Sequence, residues 1–375
     1  MISAPPLTPP PRRIALVLGG GGLKGFAHIG VLRQRAEHGV APVRFAGTSI
    51  GALIGAAAVS GMSTDEMARR AMDLKRRDLF RINHFGMLME RMRARAIYLE
   101  EPLRQLVASV VPDVPFSALP APMLVNTVDV EHGVQVVWGL PGLDHVSVRD
   151  AVYASCALPG YFPPGGVGDR HCIDGGAIDN LPVAIGSQGV DLVIAVDVGS
   201  TDMSPMSNAN AQGFASVYMR AATVMMHALQ QLPLDHWSGP PMVLIRPRIG
   251  RGSWLDFTQT EANIDEGYRA ANKALADLDS VFDQASGIFP RRQFRIDVDR
   301  DRCTGCGLCA ALAPKLMGLD ASGKAFARMH VVDWSPADGD FVHHCPTDAL
   351  MAVKVERRAG LSDTQGTVPE VQGVV

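Results

Sequence analysis

Ile14-Ala15-Leu16-Val17-Leu18-Gly19-Gly20-Gly21-Gly22-Leu23-Lys24-Gly25 runs from five consecutive apolar residues into a glycine loop, and a helical pattern follows over 26–37. The unit then repeats. Val43 to Ala46 reads as a strand, Gly47-Thr48-Ser49-Ile50-Gly51 as a tight turn, and 52–60 as a helix of small residues able to lie close on a sheet. Further strands are expected over 123–129, 133–138, 192–197 and 242–245, with helices over 64–75, 99–110, 214–230 and 260–278. Strands alternating with helices predict an α/β sandwich on a largely parallel sheet.

The 375 residues suffice for two domains, and 47% hydrophobic with 19% charged residues is ordinary for a globular chain with a sizeable core. A formal charge of -3 gives no whole-chain reason to expect nucleic acid as a partner. Residues 1–13 are Pro-rich, with Arg12-Arg13 after the prolines, and lack the charged-then-apolar order of a secretory signal; they read as a flexible lead. The uncharged run 45–62 is broken by six Gly or Ser residues, so a buried strand-turn-helix is expected in place of a membrane span. The first domain is expected over 14–288, a smaller one over 291–356, and a disordered polar tail over 357–375.

Gly47-Thr48-Ser49-Ile50-Gly51 fits G-x-S-x-G between a strand and a helix, where Ser49 is the candidate nucleophile and Gly47 and Gly51 relieve crowding at the elbow. A nucleophile at a helix N-terminus gains from the dipole as negative charge develops. The loop Gly20, Gly21, Gly22 and Lys24 can point amides and a cation at one oxyanion, each donor being worth about two to three orders of magnitude in rate. The same letters satisfy G-x-G-x-x-G, but the second strand runs into Thr48-Ser49 where a dinucleotide site wants an acid, and Lys24 precedes Gly25, which breaks a Walker loop. Nucleotide binding is therefore a minor alternative. His28 is expected to pack against the glycine loop, and His227 and His236 to be packed or surface residues.

Asp174-Gly175-Gly176 lies between Tyr161-Phe162-Pro163-Pro164 and Asp179-Asn180-Leu181-Pro182, and reads as a loop. Taken with the glycine loop, the serine elbow and Ala154-Ser155-Cys156-Ala157-Leu158-Pro159-Gly160, this order resembles the patatin-like phospholipases over about 14–278. The resemblance implies a three-layer α/β/α sandwich and a lipid acyl hydrolase of the phospholipase A or lysophospholipase type. It also implies a Ser-Asp dyad, with Ser49 as the acyl-accepting nucleophile and Asp174 as its base. Gly21 and Gly22, with Lys24, match the oxyanion loop; members often carry Arg at the position of Lys24, which keeps charge but loses the planar fork. An aspartate must be raised by burial or held in position to act as a base near neutrality. No metal is expected in this site.

Cys303-Thr304-Gly305-Cys306-Gly307-Leu308-Cys309, with Cys345-Pro346 much later, lets one tight loop present three thiolates and a remote segment bring the fourth. Zinc normally takes paired C-x-x-C hooks, so the spacing favours iron-sulfur. Residues 294–355 resemble the single-cluster bacterial ferredoxins, which implies a small α+β domain with one cluster held by Cys303, Cys306, Cys309 and Cys345. Because Cys306 is present, [4Fe-4S] is favoured over [3Fe-4S]. Cys156 and Cys172 remain as free thiols, and six cysteines without a signal peptide predict a reducing, cytoplasmic setting.

Residues 69–95 hold nine Lys or Arg against three acids, with Leu79, Phe80, Phe85, Met87, Leu88, Met89 and Met92 interleaved. Peripheral contact with anionic membrane is one reading, and a solvated helix face with core-facing apolar residues is the other. The expected partners are a phospholipid or other acyl ester and a redox protein, although 291–356 carries nine basic and nine acidic residues and so no acidic docking excess. The cluster would serve electron transfer, redox regulation or structure. The competing function is a redox protein whose first domain mainly binds lipid or a partner.

Overall fold

A computed structural model describes residues 12–83, 96–199, 214–249, 256–335, 341–342 and 344–355. The N-terminal lead up to residue 11, the basic segment from 84 to 95 and the tail beyond 355 lie outside the described residues. The chain divides into two units between Gly287 and Ile288.

In the first unit β1 (Ile14–Leu18) is buried at every position, as befits a central strand covered on both faces. It pairs in parallel with β2 (Arg44–Thr48), Leu18 opposite Gly47, and on its other side with β7 (Leu192–Val196). Beyond β2 comes β3 (Met123–Asp129), and beyond β7 comes β8 (Met242–Ile245), both parallel to their neighbours. The antiparallel part is β4 (Val134–Trp138) with β5 (Gly165–Val167) and β6 (Arg170–Asp174), giving the path β5-β6-β3-β2-β1-β7-β8 with β4 paired to β3. The result is the expected α/β/α architecture, a mostly parallel mixed sheet with flanking helices.

α1 (Ala27–Glu37) connects β1 to β2, and α2 (Ile50–Val59) leaves β2 toward β3. Between β1 and α1 the glycine loop ends in one short 3-10 turn, Gly22–Phe26. Two segments differ from expectation. Asp174 is the last residue of β6, not a loop residue, and Thr127 of β3 lies opposite it. The strand was hidden because Arg170-His171-Cys172-Ile173-Asp174 has too little apolar character to show a period of two. The helix Val148–Cys156, which carries Ser155, was likewise unpredicted.

The second unit is a small α+β body. Arg292–Val298 pairs antiparallel with Val332–Trp334 and with Leu350–Lys354, and Met317–Leu319 pairs with Ala325–Ala327. Its core joins Ile296, Met317, Val332, Trp334 and Leu350 to Cys303 and Cys309, so two of the cysteines are part of the packing itself. Trp334 stacks on Phe341 with ring centroids 5.3 Å apart.

Candidate active site and cluster loop

Ser49 follows β2 and caps α2 with φ 55 and ψ -126, a conformation a non-glycine residue holds only where its surroundings impose it. The neighbours do impose it. A Cβ at Gly47 would come within 2.7 Å of the Ala52 amide, and one at Gly51 would overlap the Leu18 carbonyl. Only glycines therefore let the turn close this tightly against β1. The Ser49 amide, turned out of any helical pattern, donates to Ser155 Oγ at 2.8 Å, and Ser155 Oγ in turn donates to the Asn126 carbonyl at 2.7 Å.

Asp174 is 3% exposed, and the Ser49 side chain lies close enough to its carboxyl to favour the ionised form. Its Oδ1 also accepts the Gly176 amide at 2.8 Å. Burial pushes the carboxyl up to about 6, with the Gly176 and Ser49 hydrogen bonds acting in the opposite direction. The Asp174 amide donates to Ala157 O at 3.0 Å, which ties β6 to the segment that follows Ser155. Ser49, just after β2, and Asp174, the last residue of β6, thus stand where the two strand ends meet along one edge of β3.

The glycine loop divides its amides. Gly20 N–H donates to Asn180 O at 3.0 Å, and Asn180 Nδ2 donates back to Gly20 O at 3.1 Å and on to Gln230 Oε1 at 3.0 Å. The expectation that Gly20 also serves an oxyanion is corrected on that ground, because its donor is already committed to Asn180. Gly22 is the first residue of the 3-10 turn, so its amide has no acceptor within the turn. Gly21 precedes it as the cap, and Lys24 sits half-buried one residue from the end of the loop.

His28 is fully buried with Nε2 2.8 Å from the Gly19 carbonyl, and burial pulls it down to about 4. It is neutral near pH 7 and holds the loop, as its position in the sequence suggested. His236 is exposed at the end of the helix Phe214–Asp235, whereas the side chain of His227 is not among those described. Cys156, half-buried and near the Asp174 carboxylate, and Cys172, buried, both have thiols pushed up, so neither supplies a thiolate nucleophile near neutrality.

Three side chains of this site escaped sequence reading. Asn126 on β3 donates through Nδ2 to Asp179 O at 2.6 Å, Gly175 O at 3.2 Å and Thr48 Oγ1 at 3.3 Å. Ser155 and Asn180 do comparable work at the elbow and the glycine loop. The two serine-containing and asparagine-containing stretches were quoted as motif letters, but a buried hydrogen bond across more than a hundred residues leaves no local signal.

The basic segment is described only up to residue 83. Arg69 and Arg70 pair with Glu66, Leu79 is buried, and Phe80 packs on Tyr98 and Phe162 with centroids at 4.9 and 5.8 Å. Those apolar side chains face protein. A different element presents an apolar surface: on Phe214–Asp235, Val217, Val224, Met225, Leu229 and Leu232 are 40 to 56% exposed, while Gln230 and Leu234 of the same helix are buried. Among the described residues no helix is long and apolar enough to cross a membrane.

In the second unit all four expected cysteines line one pocket, together with Gly305, Gly307, Thr347 and Ala349. Cys303 Sγ accepts the Ala325 amide at 3.4 Å and Cys345 Sγ the Ala349 amide at 3.3 Å, the donors a thiolate needs. Gly305 has φ 71, and a Cβ there would stand 2.5 Å from Gly323 O. No group of three or more ligands among the described residues converges on a single metal ion. Four cysteine sulfurs, three on one loop and one on a remote segment, suit a cluster in which each sulfur takes its own iron. The donor set and the glycine-lined cradle therefore fit an iron-sulfur group.

Comparison with known proteins follows the same division. The family model for patatin-like phospholipases matches residues 16–186, and that for a 4Fe-4S single cluster domain matches 296–352. An uncharacterized NTE family protein of Mycobacterium tuberculosis is 35% identical over 198 residues, 52% of this chain and 52% of the relative. Patatin-like phospholipase domain-containing protein 6 of Homo sapiens is 34% identical over 197 residues, which cover 52% of this chain but 14% of that protein. The chain thus spans about half the length, or less, of the curated relatives it matches. Among solved structures, VipD from Legionella pneumophila aligns with a TM-score of 0.38 at 14% identity, covering 71% of this chain and 66% of that one. One polypeptide accordingly matches the patatin-like phospholipase model over 16–186 and the 4Fe-4S single cluster model over 296–352.

Proposed function

We propose that the first unit is a lipid acyl hydrolase of the phospholipase A or lysophospholipase type, working through a Ser49–Asp174 dyad. The observation that carries this reading is the strained Ser49 at the mouth of α2, close to the buried Asp174 carboxyl, which burial pushes up to about 6. Such a carboxyl is ionised near neutrality yet basic enough to take a proton in the transition state.

In this reading Ser49 Oγ attacks the ester carbonyl carbon and its proton passes to Asp174. The carbonyl oxygen becomes an oxyanion held by the Gly21 and Gly22 amides and by the first amides of α2, with Lys24 adding charge. Collapse expels the alcohol, which takes the proton from Asp174. Water then adds to the acyl-serine with Asp174 again as base, releasing the fatty acid and restoring Ser49. The uncharged apolar stripe on Phe214–Asp235 supports an amphiphilic substrate met at a lipid surface, because that helix also carries Gln230, which hydrogen-bonds Asn180 beside the glycine loop.

We infer further that Cys303, Cys306, Cys309 and Cys345 would hold one [4Fe-4S] cluster, which supplies one-electron chemistry when bound. Cys306 is exposed, giving a redox partner an approach, and Lys324 donates to the Cys303 carbonyl, placing a positive charge beside the loop. A cytoplasmic setting with peripheral lipid contact is part of this reading, and the apolar stripe supports the lipid contact. The decisive experiment compares hydrolysis of short-chain and phospholipid esters by wild type and Ser49→Ala, with a fluorophosphonate probe mapped on the intact chain. Labelling at Ser49 and loss of turnover in Ser49→Ala are expected; equal turnover in the two proteins would remove the assignment.

A further inference from the structure

Ser49 follows the end of β2, and Asp174 ends β6. Because β4 occupies one edge of β3 from Val125 to Asp129, β2 (paired over Met123 to Asn126) and β6 (paired over Thr127 to Asp129) meet end to end along the other edge. The two strand ends therefore converge where Asn126 gives way to Thr127, and the chain there must be held in place.

The register places Asn126 there. It lies opposite the last residue of β2, Thr48, and its neighbour Thr127 lies opposite the last residue of β6, Asp174, on the same edge of β3. Asn126 is 1% exposed and all of its polar atoms are engaged. Its Oδ1 accepts Gln135 Nε2 at 2.8 Å, which fixes the amide orientation and aims Nδ2 at the dyad. That nitrogen donates to Gly175 O next to Asp174, to Thr48 Oγ1 next to Ser49, and to Asp179 O, which also accepts from Thr48 Oγ1 at 3.1 Å. The Asn126 main chain completes the link, since its carbonyl accepts the Ser155 hydroxyl that caps the Ser49 amide. An aspartate would put a second acceptor against two carbonyls, and an apolar residue would leave them buried without a donor.

We propose that Asn126 is a positioning residue of the hydrolytic dyad, clasping the backbone on either side of Ser49 and Asp174 and acting with Ser155, which holds the strained Ser49 amide. This rests on the hydrolase reading above. Neither residue touches substrate, and no proton passes through either. Their effect is on the distance and alignment between Ser49 Oγ and the Asp174 carboxylate, where a misplacement on the order of 1 Å costs about a hundredfold in rate.

The test uses the full chain, purified with its cluster, and four variants: Asn126→Ala, Asn126→Asp, Ser155→Ala and, as a control, Thr127→Ala. The control removes a buried hydroxyl of the same strand whose bonds, donated to Val136 O and accepted from Trp138 Nε1, run to β4 and to neither dyad residue. With a soluble short-chain ester, Asn126→Ala and Asn126→Asp should lose about a hundredfold and Ser155→Ala about tenfold in kcat, with KM little changed. The acid limb of the pH-rate profile should move upward in these variants as the Ser49 hydrogen bond to the carboxylate weakens. Thr127→Ala should lose thermal stability and keep kcat.

Wild-type kcat in folded Asn126 and Ser155 variants would overturn the proposal. So would an equal kcat loss in Thr127→Ala at equal loss of Tm, since the effect would then be stability alone. Amide hydrogen exchange gives a readout that does not depend on turnover: Asn126→Ala should expose segments 48–50 and 174–180 selectively. If wild type neither hydrolyses esters nor labels with fluorophosphonate, the hydrolase reading fails, and the exchange result still decides whether Asn126 is the clasp.

Discussion

Replacing Asp174 with Asn should raise stability at alkaline pH while removing activity. The carboxyl rises from an ordinary 3.8 to about 6 on folding, and burial is the main cause. At about 1.36 kcal/mol per pH unit, holding this group ionised in the folded state costs roughly 3 kcal/mol at pH 8. The sign follows from proton binding. Because the folded state binds the proton more tightly, the group's unfavourable contribution is absent below about pH 4, grows as pH rises to about 6, and is complete above that. Asn is neutral throughout, can accept the Gly176 amide through Oδ1, and can donate to Ser49 Oγ, so most of the penalty should be relieved. Thermal unfolding of the full chain should show Asp174→Asn more stable than wild type by about 2 to 3 kcal/mol at pH 8, and level with it near pH 4. Ester turnover should fall by at least about a hundredfold. An identical pH dependence of stability in the two proteins would refute the reasoning, because it would mean that Asp174 is not a desolvated base in the folded chain.

The same carboxyl predicts that kcat/KM for a soluble ester is level above about pH 7 and falls toward tenfold per unit below about pH 6; a midpoint near 4 would contradict it. Met225→Glu with Leu229→Glu should reduce turnover on phospholipid vesicles by about tenfold and spare the soluble ester, since charge on the exposed stripe weakens lipid contact without altering the dyad; equal loss on both substrates would place the effect elsewhere. Gly305→Ala should leave the purified chain with little iron, by iron analysis and visible absorption, because its Cβ would meet the Gly323 carbonyl at φ 71. Removing the cluster with a chelator should increase amide exchange in 292–298 and 350–354, given that Cys303 and Cys309 belong to the core those strands enclose.

Much of this protein was legible as letters. Five apolar residues before a glycine loop, and a serine flanked by glycines at two positions either side, marked the first two strand-turn-helix units, because the physical demand on each is local: a buried strand, a tight turn, a helix N-terminus. The cluster cysteines were legible for the same reason, three of them lying within one loop. The β6 strand was not, since its polar residues are held in place by pairing with β3 and not by their own period.

Sequence by itself determined the α/β class, the elbow at Ser49, the glycine loop and the four-cysteine set, each being written in a few adjacent residues whose backbone requirements have few solutions. Only the tertiary structure decided that Asp174 ends a strand within reach of Ser49, that burial raises its carboxyl, that Gly20 is committed to Asn180, and that Asn126 and Ser155 hold the two halves together. Those are properties of long-range contact and solvent exclusion. They arise when strands far apart in the chain meet end to end along one edge of β3, and no short stretch of residues can encode them alone.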